Sequence, residues 1–177
     1  TEMARAVAAG YGVKCFDTFT GFKFMAEKKN ALEATGEGKV VFSYEESYGY
    51  MLGDYVRDKD AVTASLLLTE MAAHYAAQGM TVLDALQALY EKHGFYGEKT
   101  HNLVMPGLDG LKDMAALMKR LREEPPRDIA GVAVVQFKDY ADGSVVDCAT
   151  GEKSSMELSG SNVLRFEMAD GTSIIVR

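Results

Sequence analysis

The chain lacks any apolar run near the roughly 20 residues needed to span a bilayer, which reads against a membrane as its partner. It has only two cysteines, Cys15 and Cys148, too few for a disulfide framework, so a reducing cytoplasm is the default expectation. Cations are outnumbered: 19 Lys and Arg stand against 26 Asp and Glu, a net charge of −7. This balance argues against nucleic acid as the main partner, because binding a phosphate backbone needs clustered Lys and Arg. The N-terminus, Thr1-Glu2-Met3-Ala4-Arg5, offers no apolar h-region and so does not read as a secretory signal. No internal repeat or low-complexity tract is present. What remains, 177 residues at 47% hydrophobic and 25% charged, is an ordinary globular composition with room for one large or two small domains.

The chain starts at Thr1 with a helical pattern already under way at Glu2 and stops on the β-branched apolar run Thr172 to Val176, followed by Arg177. Both ends read as cuts in a longer protein. Between them the grammar changes once. In the first part, Val13 to Phe16 is a strand candidate and Phe22 to Ala34 a helix stopped near Gly36. Lys39 to Ser43 reads as a buried strand opening into the polar stretch Tyr44 to Lys59. Asp60 to Gln78 reads as a helix with Val62, Leu66, Thr69 and Ala73 on one face, ended by Gly79. Thr81 and Asp84 have capping-box spacing for a further helix, with Val82, Ala85, Leu86, Leu89 and His93 on one side and Gly94 at its end.

After Gly94 the pattern is one helix, marked by Leu111, Met114, Ala115, Met118 and Leu121 and stopped by Pro125-Pro126, and then strands only. These are Gly131 to Phe137, Asn162 to Met168 and Thr172 to Val176, with turn dipeptides at Asp142-Gly143 and Asp170-Gly171. The expected fold class is an α/β domain (a mixed sheet with helices) over residues 1–96. A small α+β domain with an antiparallel sheet follows over 97–177, with a hinge near Phe95-Tyr96-Gly97 and truncation at both ends.

The densest polar stretch is Tyr44-Glu45-Glu46-Ser47-Tyr48-Gly49-Tyr50, followed by Val56-Arg57-Asp58-Lys59-Asp60. It lies past the C-terminal end of a predicted strand, where α/β proteins place ligand sites. If the segment is extended, Glu45 and Ser47 face one way and Glu46 the other. A carboxylate beside a hydroxyl suits neighbouring sugar hydroxyls, and Arg57 and Lys59 add cations for an anionic ligand. The competing reading is a solvated loop whose acids decorate a helix start, with Asp58 or Asp60 as the cap. A glycosidase pair is disfavoured, since adjacent carboxylates on an extended chain point apart. Asp54, Asp58 and Asp60 resemble a metal cluster, but Arg57 and Lys59 interleave them and no EF-hand pattern is met. His74, His93 and His101 lack ligand spacing.

Three segments then stand in register: Thr20-Gly21-Phe22-Lys23, Glu45-Glu46-Ser47-Tyr48-Gly49-Tyr50 and Val56-Arg57-Asp58-Lys59-Asp60-Ala61-Val62. In order and spacing they resemble the α-D-phosphohexomutases, in particular the long bacterial phosphoglucomutase/phosphomannomutase branch. The resemblance implies that residues 1–96 are that family's third domain, lacking its start. Residues 97–177 would be its fourth, cut before the phosphate-binding loop. It further implies interconversion of glucose 1-phosphate and glucose 6-phosphate through a bisphosphate intermediate, with a phosphoserine in the first domain and Mg²⁺ on an Asp-rich loop of the second. No Ser here precedes His-Asn, and no Asp-Gly-Asp occurs. Phosphoserine, Mg²⁺ and the missing N-terminal domains are therefore expected outside this chain, with glucose 1,6-bisphosphate as activator and intermediate.

By the same resemblance, Thr20 and Gly21 form a substrate-contacting loop, and Glu45 and Ser47 bind sugar hydroxyls. Arg57 and Lys59 belong to the substrate site, Lys59 being also considered as an assistant in proton transfer. Arg177 would open the loop that grips the non-reacting phosphate. No catalytic group and no metal ligand is assigned within the chain. Tyr48 and Tyr50 depart from the Gly-His version of the shorter phosphomannomutase branch, which favours glucose phosphates or a pentose phosphate over mannose phosphates. Two classes of function stay open here: the sugar-recognition part of an isomerase that is inactive by itself, and a non-catalytic sugar-phosphate-binding or interaction module.

Overall fold

The computed structural model describes residues 1–53 and 55–177. The chain divides into two compact units, residues 1–99 and 100–177.

In the first unit, α1 spans Glu2–Gly10, with the Thr1 hydroxyl accepting from the Ala4 amide at 3.2 Å. Helix α2 spans Phe22–Thr35 and closes on Gly36, whose φ of 71° is the left-handed conformation that lets its amide and the next return to Glu33 and Leu32 carbonyls. Phe22, Ala26, Lys29 and Leu32 lie three or four apart and make one buried stripe. Strands β1 (Phe42–Tyr44) and β2 (Tyr50–Leu52) form an antiparallel hairpin with Tyr44 opposite Tyr50. Helix α3 (Ala61–Ala76) begins at Asp60, whose carboxylate accepts from the Val62 and Thr63 amides. Helix α4 (Val82–His93) opens with a complete Thr81–Asp84 capping box, buries Ala85 and ends at Gly94.

Here the structure corrects three expectations. Val13 to Phe16 is not a strand: the Val13 amide closes α1 on the Ala8 carbonyl, no ladder forms, and Val13 and Phe16 are about half exposed. The strand expected at Lys39 to Ser43 is shifted to Phe42–Tyr44 and is not buried, with Val41 60% exposed, because its ladder runs only to β2. The face of α3 bearing Val62 and Leu66 points to solvent within this unit. The opposite face, with Ala64, Leu67 and Met71, lines an apolar cavity of about 330 Å³ with Phe42 and Tyr50. The fold class stands, with two helices, a hairpin and two further helices before a sheet-based second unit, although the sheet of the first unit is only that two-stranded hairpin among the described residues.

In the second unit, α5 (Gly110–Glu123) starts where a Cβ on Gly110 would lie 2.0 Å from the Met105 carbonyl oxygen, so backbone passes over backbone there. Strands β3 (Asp128–Ile129), β4 (Val132–Asp139), β5 (Ser144–Asp147), β6 (Lys153–Ser155), β7 (Leu164–Met168) and β8 (Ser173–Val176) follow. All pairings are antiparallel, in the order β6-β5-β4-β7-β8, with β3 on the end of β4. Leu164, Phe166 and Met168 alternate inward on β7, and Met118 of α5 packs with Leu164, Phe166, Val134 and Phe137 in the core. A register shift between Val134 and Gln136 inserts Val135 into β4, so Val134 and Phe137 are both buried despite their odd separation. Arg122 of α5 donates to the buried Asp139 carboxylate and, at 2.8 Å, to Asn162, tying helix to sheet. Strands β3, β5 and β6 escape sequence reading because they are short and, in Lys153-Ser154-Ser155, carry no apolar alternation.

Candidate functional site

The loop between β1 and β2 and the start of α2 meet around one ring. Glu45 leaves β1, and its amide donates to the Gly49 carbonyl at 3.0 Å, closing a tight turn over Glu46 and Ser47. Tyr48 then takes a φ of 68°, a conformation unusual for a residue with a Cβ, and stands 85% exposed. The turn folds back on Phe22: a Cβ at Gly49 would come within 2.6 Å of that ring and 3.4 Å of the Glu45 carboxylate. Only glycine fits between them. The Glu45 carboxylate in turn accepts the Gly21 amide at 2.7 Å, a charge-assisted bond to the residue that opens α2. The Lys59 ammonium lies 5.5 Å from the centre of the same Phe22 ring, within range of a cation–π attraction.

Gly21, Glu45 and Lys59 are thus arranged about Phe22, itself buried. Thr20 is exposed in the loop before α2, and Ser47 is exposed in the turn. Strand alternation does not extend to Glu45 and Ser47, because β1 ends at Tyr44 and residues 46 and 47 turn. Arg57 does not share the contacts of Lys59. Its guanidinium donates to the Asn30 side chain at 3.0 Å and reaches Glu33 at 3.7 Å, on α2. Arg177 is exposed past the end of β8, in the second unit. Phe22, Gly49, Lys29 and Glu33 were not singled out from the sequence. Gly49 carried a signal, a glycine between two tyrosines, whereas the role of the buried lysine shows only in three dimensions.

The acids after β2 are committed locally. Asp60 is held down to about 2, first by the Tyr55 hydroxyl, then by the Thr63 hydroxyl and the Val62 amide it caps. Asp58 is lowered chiefly by the Lys59 backbone N–H. The third acid of the sequence reading, Asp54, lies outside the described residues. Among the described residues no group of three or more His, Cys, Asp or Glu gathers to hold a metal. No helix among them is long and apolar enough to cross a membrane. An anchored carboxylate, a turn hydroxyl and an ammonium on an apolar ring form a set suited to a polyhydroxyl ligand that carries negative charge.

Residues 1–93 match the family model described as phosphoglucomutase/phosphomannomutase, alpha/beta/alpha domain III, which covers more than half of the chain. The chain belongs to the phosphoglucomutase/phosphomannomutase family. Thr20, Gly21, Glu45, Ser47, Arg57 and Lys59 all fall within the matched domain, and Arg177 falls outside it. Similar relatives include proteins named phosphoglucomutase from Staphylococcus aureus strains bovine RF122 / ET3-1 and N315, each 31% identical over 171 residues. The protein of that name from strain MRSA252 is 30% identical over the same length. Each alignment takes in 97% of this phosphohexomutase chain and 31% of the relative, so the chain spans about a third of their length.

Proposed function

We propose that this chain is the sugar-recognition part of a phosphoglucomutase that interconverts glucose 1-phosphate and glucose 6-phosphate through a phosphoserine and a bisphosphate intermediate. The observation that carries the reading is the bond from the Gly21 amide to Glu45, which joins two of the three family-like segments at the ring under Lys59. One free carboxylate oxygen, the Ser47 hydroxyl and the Lys59 ammonium then read the sugar and its charge. Phosphoryl transfer depends on positioning and charge stabilisation, so such a set contributes by holding the sugar while other groups perform the transfer. In this proposal the phosphoserine, Mg²⁺ and the bisphosphate are handled by residues outside the chain. Arg177 opens the phosphate-gripping loop, and the enzyme works in the cytoplasm. The relatives named phosphoglucomutase support glucose phosphates as substrates.

The test is a coupled assay of the whole enzyme with glucose 1-phosphate and trace glucose 1,6-bisphosphate. Turnover is expected, and Glu45→Ala is expected to lower kcat/KM about ten- to a hundred-fold, the weight of a charged hydrogen bond of about 1.5–3 kcal/mol. Residues 1–177 alone are expected to give no turnover above buffer. Absence of turnover by the whole enzyme, or full activity of Glu45→Ala, overturns the reading.

A further inference from the structure

Lys29 lies in the middle of the buried stripe of α2, its side chain fully enclosed. Leucine or methionine would complete the apolar sequence Phe22, Ala26, Leu32, and an enclosed ammonium is tolerated only where partners replace the lost water. The partners are specific. The Lys29 ammonium donates to the Gly53 carbonyl at 3.3 Å, just past β2, and pairs with Glu33 at 2.9 Å one turn along the helix. Glu33 also reaches the Arg57 guanidinium at 3.7 Å, and the Asn30 side chain accepts from the same guanidinium at 3.0 Å. Three side chains from one turn of α2 therefore grip the chain after β2 at two places, Gly53 and Arg57. On the other side, the Asp60 amide donates to the Tyr50 carbonyl at 2.9 Å and the Asp60 carboxylate caps α3. Lys59 stands between the Arg57 grip and the Asp60 anchor.

We propose that Lys29, acting with Asn30 and Glu33, is a positioning residue for the loop over 55–59, setting where Lys59 meets the sugar phosphate. Lys29 itself is enclosed and touches no ligand. Its influence runs through the Gly53 carbonyl and through Glu33, which shares its charge between Lys29 and Arg57. The use of the loop for a sugar phosphate rests on the function proposed above, while the bracket stands on the geometry.

The test is amide hydrogen exchange on the whole enzyme. Lys29→Met is expected to speed exchange at residues 55–59 about ten-fold or more while leaving α4 at wild-type rates. Glu33→Gln, on a partly exposed side chain that folding tolerates, is expected to act in the same direction and carries the test should Lys29→Met not fold. Unchanged rates at 55–59, or a uniform rise across residues 1–99, overturn the proposal and leave Lys29 an ordinary core residue. A kinetic arm separates positioning from bulk stability. KM for glucose 1-phosphate is expected to rise several-fold in Lys29→Met and Glu33→Gln but not in Leu32→Ala, a core truncation on the same helix. An equal rise in all three overturns it. Absence of turnover in the wild type defeats the functional reading, and the exchange rates still decide the bracket.

Discussion

In residues 100–177 the buried side chains alternate along strands, with Leu164, Phe166 and Met168 on β7 meeting Val134 and Phe137 on β4. In residues 1–99 most of them follow helix α2, joined by Met51 of β2 and Ala85 of α4, and α3, the longest helix, buries none of its residues. The sheet thus builds its core from alternate positions along β7 and inward positions of β4, closed by Met118 of α5. The helical unit builds its core from the same turns that carry the candidate site, since Phe22 is at once the first residue of α2 and the floor beneath Glu45 and Lys59. At Phe22, therefore, a packing change is also a change of site geometry, whereas in the sheet the two are separable.

Substitutions that divide packing from recognition sharpen this contrast. The largest effect is expected from Phe166→Ala, about 3–5 kcal/mol of stability lost by emptying a site 1% exposed, read as a lower denaturation midpoint of the sheet amides. Sugar-phosphate-induced shifts at Glu45 and Ser47 are expected to persist in that variant, and their loss would break the contrast. Gly49→Ala is next, about 1–3 kcal/mol, because the new methyl must displace the Phe22 ring. Here stability and the sugar-phosphate shifts should fall together, as a titration followed by NMR would show. Thr81→Ala is expected to cost about 1 kcal/mol by opening the capping box of α4, with no change in those shifts. The smallest effect is a pH dependence at Asp60. Its folded pKa of about 2 lies below the ordinary 3.8, so the unfolded chain takes up the proton first on acidification. The contribution of the cap is present in full above about pH 4 and fades as pH falls towards 2. Amide shifts at Val62 and Thr63 should report the transition, and Asp60→Asn should abolish it.

Much of this was legible in residues that act locally. Gly36 and Gly94 cap helices at φ values of 71° and 96°, as their place after periodic runs predicts, and Thr81–Asp84 caps as its spacing requires. Helix α3 ends earlier than expected, at Ala76 with Ala77 as its cap, and Gly79 turns the chain beyond it at φ 73°. Asp170-Gly171 turns β7 into β8. Legibility fails where a partner decides. Val13 to Phe16 has strand composition, yet a strand exists only through its ladder. In β4 the inserted Val135 shifts the parity of the pattern, so the inward positions do not follow from alternation. At the candidate site, the motifs could be named in order, but the contact of Gly49 with Phe22, the departure of Arg57 towards α2 and the enclosure of Lys29 depend on distances between segments.

Gly110 makes the run-in to α5 and the helix a single evolutionary unit. A side chain there would need the space held by the Met105 carbonyl, and no rotamer relieves a clash between Cβ and backbone. Replacement by alanine would ordinarily favour a helix, but at this position it is accessible only after the chain at Met105 has moved away. The order of change is thereby fixed. Substitutions that lift the run-in must come first, and the helix can improve its own propensity only afterwards.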